Sequence, residues 1–160
     1  MKEKFVTLYS NIAKEVSKLS YAKRLQVGAI IVKDDRVISI GYNGMPSGWE
    51  NNCEEIVPEQ VDIDARTITE AYERSKPEVM HAERNAIDKV AKHGGTGAIG
   101  AAMFTTHAPC LECAKSIYGC GITDLYYDNV YRHTDGIKFL LKCGVNVIEP
   151  KILKPYKSIT

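Results

Sequence analysis

The stretch AAMFTTHAPCLECAKSIYGCGITDLYY, residues 101–127, reads as strand, helix, strand. Apolar residues run through 101–104 and Thr105 follows, a run short enough for a buried strand. Pro109 then opens a helix over 110–118, Gly119 and Gly121 punctuate its end, and Leu125-Tyr126-Tyr127 belong to a second strand over 124–127. The same alternation continues on both sides. A helix over 80–92 precedes the Gly94-Gly95 break, while a helix over 135–142 stops at Gly144 before a last strand over 145–148. Helices alternating with strands in this way argue for an α/β sheet with crossover helices on its faces.

Toward the N-terminus the pattern changes. Phe5, Leu8, Ile12, Val16 and Leu19 recur at three- and four-residue intervals, which predicts an amphipathic helix over 2–19. The β-branched runs 27–32 and 37–42, joined by Lys33-Asp34-Asp35-Arg36, predict an antiparallel hairpin. Gly44, Pro46 and Gly48 make 43–49 a loop. Residues 50–78 carry nine acids against three bases, a local charge of −6 that leaves +7 on the rest. Ala65, Ile68 and Tyr72 could form a helical stripe there, so this segment reads as an acidic insertion with one helix. There is no internal repeat, and 160 residues fit a single domain over 1–160.

Composition narrows the function classes. With 21 basic and 20 acidic residues, no global field draws the chain onto nucleic acid. The longest apolar runs, 27–32 and 98–104, are far short of the roughly 20 residues of a membrane helix, and no apolar signal region follows Met1-Lys2-Glu3-Lys4. The expectation is a cytoplasmic protein with no membrane partner. Five cysteines in a reducing compartment are more readily ligands, nucleophiles or core residues than disulfide partners.

The chemistry concentrates in two short segments. His81-Ala82-Glu83 opens one predicted helix, and Pro109-Cys110-Leu111-Glu112-Cys113 opens another. Cys110 and Cys113 at i and i+3 share a helix face and can grip one metal, with the His81 imidazole as third ligand. Three ligands leave tetrahedral zinc one open position, as in a catalytic site. Glu83, two residues past the histidine, is badly placed to ligate yet near enough to carry protons to and from a water there. A structural zinc site recruiting Cys53, Cys120 or Cys143 is the competing reading. Those three cysteines read by themselves as small core residues, and His93 and His133 as surface residues. His107 stands either on the pocket wall or merely in the connecting loop.

Four segments together resemble the deoxycytidylate deaminase branch of the zinc-dependent cytidine and deoxycytidylate deaminase superfamily. They are 24–32 (RLQVGAIIV), 41–48 (GYNGMPSG), 81–87 (HAERNAI) and 105–115 (TTHAPCLECAK). The H-x-E and P-C-x-x-C pair is the zinc deaminase signature, with the glutamate as proton carrier. The G-Y-N-G-x-P-x-G loop separates this branch from free-nucleoside and transfer-RNA deaminases. The resemblance implies a three-layer α/β/α fold around a five-stranded mixed sheet and hydrolysis of dCMP to dUMP and ammonia. It also implies a homohexamer, activation by dCTP and inhibition by dTTP; the acidic insertion beside the 43–49 loop would repel a triphosphate unless basic residues or Mg²⁺ intervene.

By the same resemblance His81, Cys110 and Cys113 hold one zinc, Glu83 is the catalytic residue, and Asn43 contacts the nucleotide. Arg24, Asn85 and Tyr131 fall at substrate-pocket positions, a guanidinium suiting phosphate and an amide or phenol suiting sugar or base. Asn43, Gly44, Met45, Pro46 and Gly48 are the candidate effector contacts. Two departures stand out. Some relatives carry a second, structural zinc, but Ala22 stands where its early cysteine would be, and 54–78 contains neither His nor Cys although Cys53 is kept. Ala108 replaces a bulky aromatic, which leaves dCTP or cytidine open as substrates. Transfer-RNA deamination and a non-catalytic zinc module are the remaining alternatives.

Overall fold

Helix α1 (Glu3–Ser17) leads into the hairpin β1 (Gly28–Lys33) and β2 (Arg36–Tyr42). Asp34 and Asp35, at φ 50° and 58°, form the left-handed two-residue turn that matches strand twist. Four short strands follow: β3 (Glu54–Val57), β4 (Gln60–Asp62), β5 (Thr67–Thr69) and β6 (Tyr72–Ser75). The chain then alternates through α2 (Ala82–His93), β7 (Ala102–His107), α3 (Leu111–Gly119), β8 (Asp124–Asn129), α4 (Asp135–Lys142) and β9 (Asn146–Ile148). This computed structural model describes residues 1–62, 64, 66–94, 97–130 and 133–149.

The main sheet has the order β2-β1-β7-β8-β9. β1 runs antiparallel to β2 and β7, whereas β7, β8 and β9 are parallel, so the sheet is mixed. Its two faces bury different clusters. Ile31, Met103 and Leu125 meet Ala82 and Ala86 of α2, Ala114 and Ile117 of α3 and Leu140 of α4 on one face. On the other, Ile30, Val32, Phe104 and Tyr126 meet Tyr9, Ala13 and Val16 of α1. This is the expected three-layer α/β/α arrangement. Each fully buried Ile, Leu or Met contributes about 1.5–3 kcal/mol of burial.

Two expectations are corrected. The buried stripe of α1 runs through Tyr9, Ala13 and Val16, and Leu8 and Leu19 are exposed. Tyr9 takes the place because its ring packs on Phe104, with centroids 5.3 Å apart, and Phe104 in turn stacks on Tyr126 at 4.4 Å. The acidic insertion forms no helix among the described residues. β3 pairs with β6 and β4 with β5 in one continuous antiparallel register, from Glu54 opposite Ser75 to Asp62 opposite Thr67. The result is a two-stranded ribbon interrupted at Pro58, which has no N–H to give to a ladder. Ile68 and Tyr72 lie on its strands, and Ala65 lies outside the described residues. Among the described residues, β3 packs on β6 and β4 on β5, and neither pair packs substantially on another helix or strand. Among the described residues no helix is long and apolar enough to cross a membrane.

Candidate metal and active site

The site is assembled where two helices begin. His81 is the N-cap of α2, with extended backbone, and Cys110 is the N-cap of α3, its Sγ accepting the Cys113 N–H at 3.5 Å. Two glycines allow the close packing that brings these ends together. A Cβ on Gly41 of β2 would overlap the Ala82 carbonyl and crowd the Ala86 amide, so α2 sits directly on the sheet. A Cβ on Gly136 would overlap the Pro109 carbonyl, so α4 presses on the loop that carries Cys110. β7 ends just before that loop, which puts the site beyond the carboxyl end of a central strand, the usual position in open α/β sheets.

His81, Cys110 and Cys113 converge, their ligand atoms all within 4.8 Å of one another. His81 Nδ1 lies 3.6 Å from Cys110 Sγ and 3.4 Å from Cys113 Sγ. Tetrahedral zinc with Zn–S of about 2.3 Å and Zn–N of about 2.0–2.1 Å separates sulfur from nitrogen by roughly 3.5 Å. The donor set and its spacing therefore fit that ion. Hydrogen bonds from the Cys113 thiol and the His81 imidazole hold Cys110 far below the usual thiol range. Cys113, buried and with that sulfur beside it, is pushed the other way. A divalent cation bound by this group would hold both cysteines as thiolates.

Glu83, on the first turn of α2, is 4% exposed. Burial raises its pKa, opposed by its own backbone amide and by His81. A carboxyl moved toward neutrality in this way suits a group that must both take and give a proton. It faces a cavity of about 320 Å³ walled by Leu25, Val27, Asn43, Ser75, Lys76, Pro77, Val79, His81, Ala82, Glu83, His107, Ala108 and Cys110. His107 thus belongs to the wall. Burial lowers its pKa, opposed by Asp128, and its Nδ1 lies 3.1 Å from Thr106 Oγ1.

Of the other predicted site residues, Asn43 reaches the cavity. Its Oδ1 accepts the Val27 N–H at 2.8 Å and its Nδ2 donates to the Leu25 carbonyl at 2.8 Å, so it also clasps the segment beside it. Asn85 is not on the wall; its amide donates to the Tyr42 carbonyl at 3.0 Å. Arg24 is exposed and also off the wall, its backbone N–H directed to the buried Glu54 carboxylate. Tyr131 lies outside the described residues. Gly44 forms a two-bond bridge with Met80, tying the 43–49 loop to the residue before His81. Met45 and Pro46 are half-buried and Gly48, at φ 89°, is exposed.

Sequence reasoning missed Ser75, Lys76, Pro77 and Val79. They reach the cavity because the ribbon returns there, the Lys76 amide donating to the Cys53 carbonyl at 2.9 Å. Their one sequence signal is proximity to His81.

Comparison with known proteins agrees with this geometry. The family model described as the cytidine and deoxycytidylate deaminase zinc-binding region matches residues 2–129. ComE operon protein 2 of Bacillus subtilis is 38% identical over 129 residues, covering 80% of this chain and 61% of that protein. Deoxycytidylate deaminase of enterobacteria phage T4 is 35% identical over 146 residues, 75% of each chain. A crystal structure of dCMP deaminase from the cyanophage S-TIM5, in complex with dCMP and dUMP, superposes with a TM-score of 0.77 at 37% identity, over 93% of this chain and 98% of that one. With both zinc-motif segments inside the matched region and their side chains gathered at one cavity, the chain belongs to the cytidine and deoxycytidylate deaminase family.

Proposed function

We propose that this protein hydrolyses dCMP to dUMP and ammonia, in the cytoplasm, supplying dUMP for thymidylate synthesis. The observation that carries the reading is the zinc-spaced His81, Cys110 and Cys113 group beside a buried carboxyl, Glu83, in one cavity. The resemblance to deaminases named for deoxycytidylate directs the substrate choice.

Zinc held by the three ligands supplies Lewis acidity that brings a water within reach of deprotonation at neutral pH. The chain's own residues do the rest. Glu83 accepts the proton of the attacking water and delivers it to N3 of cytosine as oxygen adds to C4. It then passes the second proton to the 4-amino group, ammonia leaves, and the C4 carbonyl of dUMP forms. Water is consumed and no oxidant enters. Val27, Ala82 and Ala108 wall the base, the small Ala108 leaving room at that edge. Asn43, on the cavity wall and held there by its bonds to Leu25 and Val27, contacts the nucleotide.

The protein acts as a homohexamer whose loop, through Asn43, Gly44, Met45, Pro46 and Gly48, takes dCTP as activator or dTTP as inhibitor, with Mg²⁺ carried by the triphosphate. The Gly44–Met80 bridge supports this part, since a shift of the loop moves the residue next to His81. Ammonia release from dCMP, dCTP, cytidine and deoxycytidine, with and without added dCTP-Mg²⁺ or dTTP-Mg²⁺, tests the whole proposal. The expected result is preferred turnover of dCMP, raised by one triphosphate and lowered by the other.

A further inference from the structure

We infer that Lys76 receives the 5′-phosphate of the nucleotide and so selects nucleoside monophosphates over free nucleosides; this rests on the deaminase reading above. Three observations support it. Lys76 lies on the cavity wall, and it is the one lysine or arginine among the described wall residues. Its backbone is held at both ends, the amide donating to Cys53 O at 2.9 Å and the carbonyl accepting the Val79 amide at 3.2 Å. Cys53 is itself 1% exposed, so this stem stands on buried structure.

The side chain is half-buried, and no carboxylate among the described residues forms an ion pair with it. The Cys53 thiol is an electrostatic neighbour of Lys76, and burial and the Glu54 carboxylate raise the pKa of that thiol. A half-buried ammonium that forms no ion pair among the described residues, on the wall of a cavity whose opposite chemistry handles a neutral base, is complementary to a phosphomonoester. Arg24, the residue the family resemblance suggests for phosphate, is exposed and off that wall. Lysine binds phosphate as a compact point charge, so an arginine of similar reach keeps much of the attraction and a methionine keeps only the apolar stem.

The experiment compares zinc-loaded wild type with Lys76→Met, Lys76→Arg and Arg24→Met, measuring kcat and KM for dCMP and deoxycytidine and calorimetric binding of dUMP. Losing one charge-assisted contact costs about 10- to 100-fold. Lys76→Met is expected to lower the dCMP-to-deoxycytidine ratio of kcat/KM by that factor, mainly through KM, and to weaken dUMP binding in parallel. Lys76→Arg should recover most of the loss, and Arg24→Met should change the ratio less than about threefold. An unchanged ratio in Lys76→Met, an equal loss on both substrates, or a larger effect from Arg24→Met overturns the assignment. Absence of turnover in wild type would sink the deaminase reading instead, and the dUMP calorimetry would still decide the role of Lys76.

Discussion

The zinc-motif side of the cavity rests on the core: Ala82, Ala86, Ala114 and Ile117 behind it are all fully buried, and Gly41 and Gly136 let two helices press directly on their supports. The opposite wall hangs from a ribbon whose Ile56, Ile68 and Tyr72 are 75%, 67% and 47% exposed. One cavity thus joins a wall whose geometry is fixed by packing to a wall fixed mainly by its two ends. Those ends are Glu54, which is buried and accepts the Lys23 amide at 2.9 Å and the Arg24 amide at 3.3 Å, and Lys76, tied to Cys53. Chemistry that tolerates no displacement is on the first wall.

That contrast can be broken at several points. The largest effect is expected on the packed wall, where Cys110→Ala should take bound zinc from one per chain to none and leave no measurable deamination; elemental analysis and an ammonia assay on the same sample decide it. Gly41→Val comes next, since its side chain has no room against Ala82 and Ala86. Overpacking of this kind costs about 1–3 kcal/mol, seen as a fall of roughly 3–10 °C in a thermal melt. Cys53→Ala should cost about 1 kcal/mol of stability while leaving the zinc content at one per chain; loss of zinc would mean that Cys53 ligates a second ion. The smallest effect belongs to the outer ribbon. Replacing residues 58–71 by Asn-Gly, so that Val57 and Tyr72 are joined by a tight turn, should keep zinc and shift the melting temperature by less than about 2 °C. A large shift would show that the ribbon supports the core.

Legibility in the sequence follows the same division. Strands such as 101–105 and helices such as 135–142 were readable because each buries one periodic face, and α4 begins and ends where its pattern does. The metal group was readable because both halves of it are local, two cysteines three apart and one histidine at a helix start. The ribbon was not. Ile68 and Tyr72 are four apart, a spacing that puts them on one side of a helix and equally on one face of a strand, so the two periods coincide there. Leu8 shows a related ambiguity: it falls on a stripe of large apolar residues at helical spacing, whereas α1 buries Tyr9 and Ala13 to fit Phe104 and the sheet. Lys76 was invisible because its place on the wall depends on a bond to Cys53, far from it in sequence, that only the folded-back ribbon creates.

The central claim is that Glu83 carries the protons of a zinc-supported deamination, and a single comparison tests it: ammonia released from dCMP by wild type and by Glu83→Gln, each with its zinc content measured. The glutamine fills the same buried space and leaves His81, Cys110 and Cys113 untouched, so zinc should remain at one per chain while the rate falls by about 10³- to 10⁴-fold or more. Retained zinc with a rate within tenfold of wild type would contradict the account.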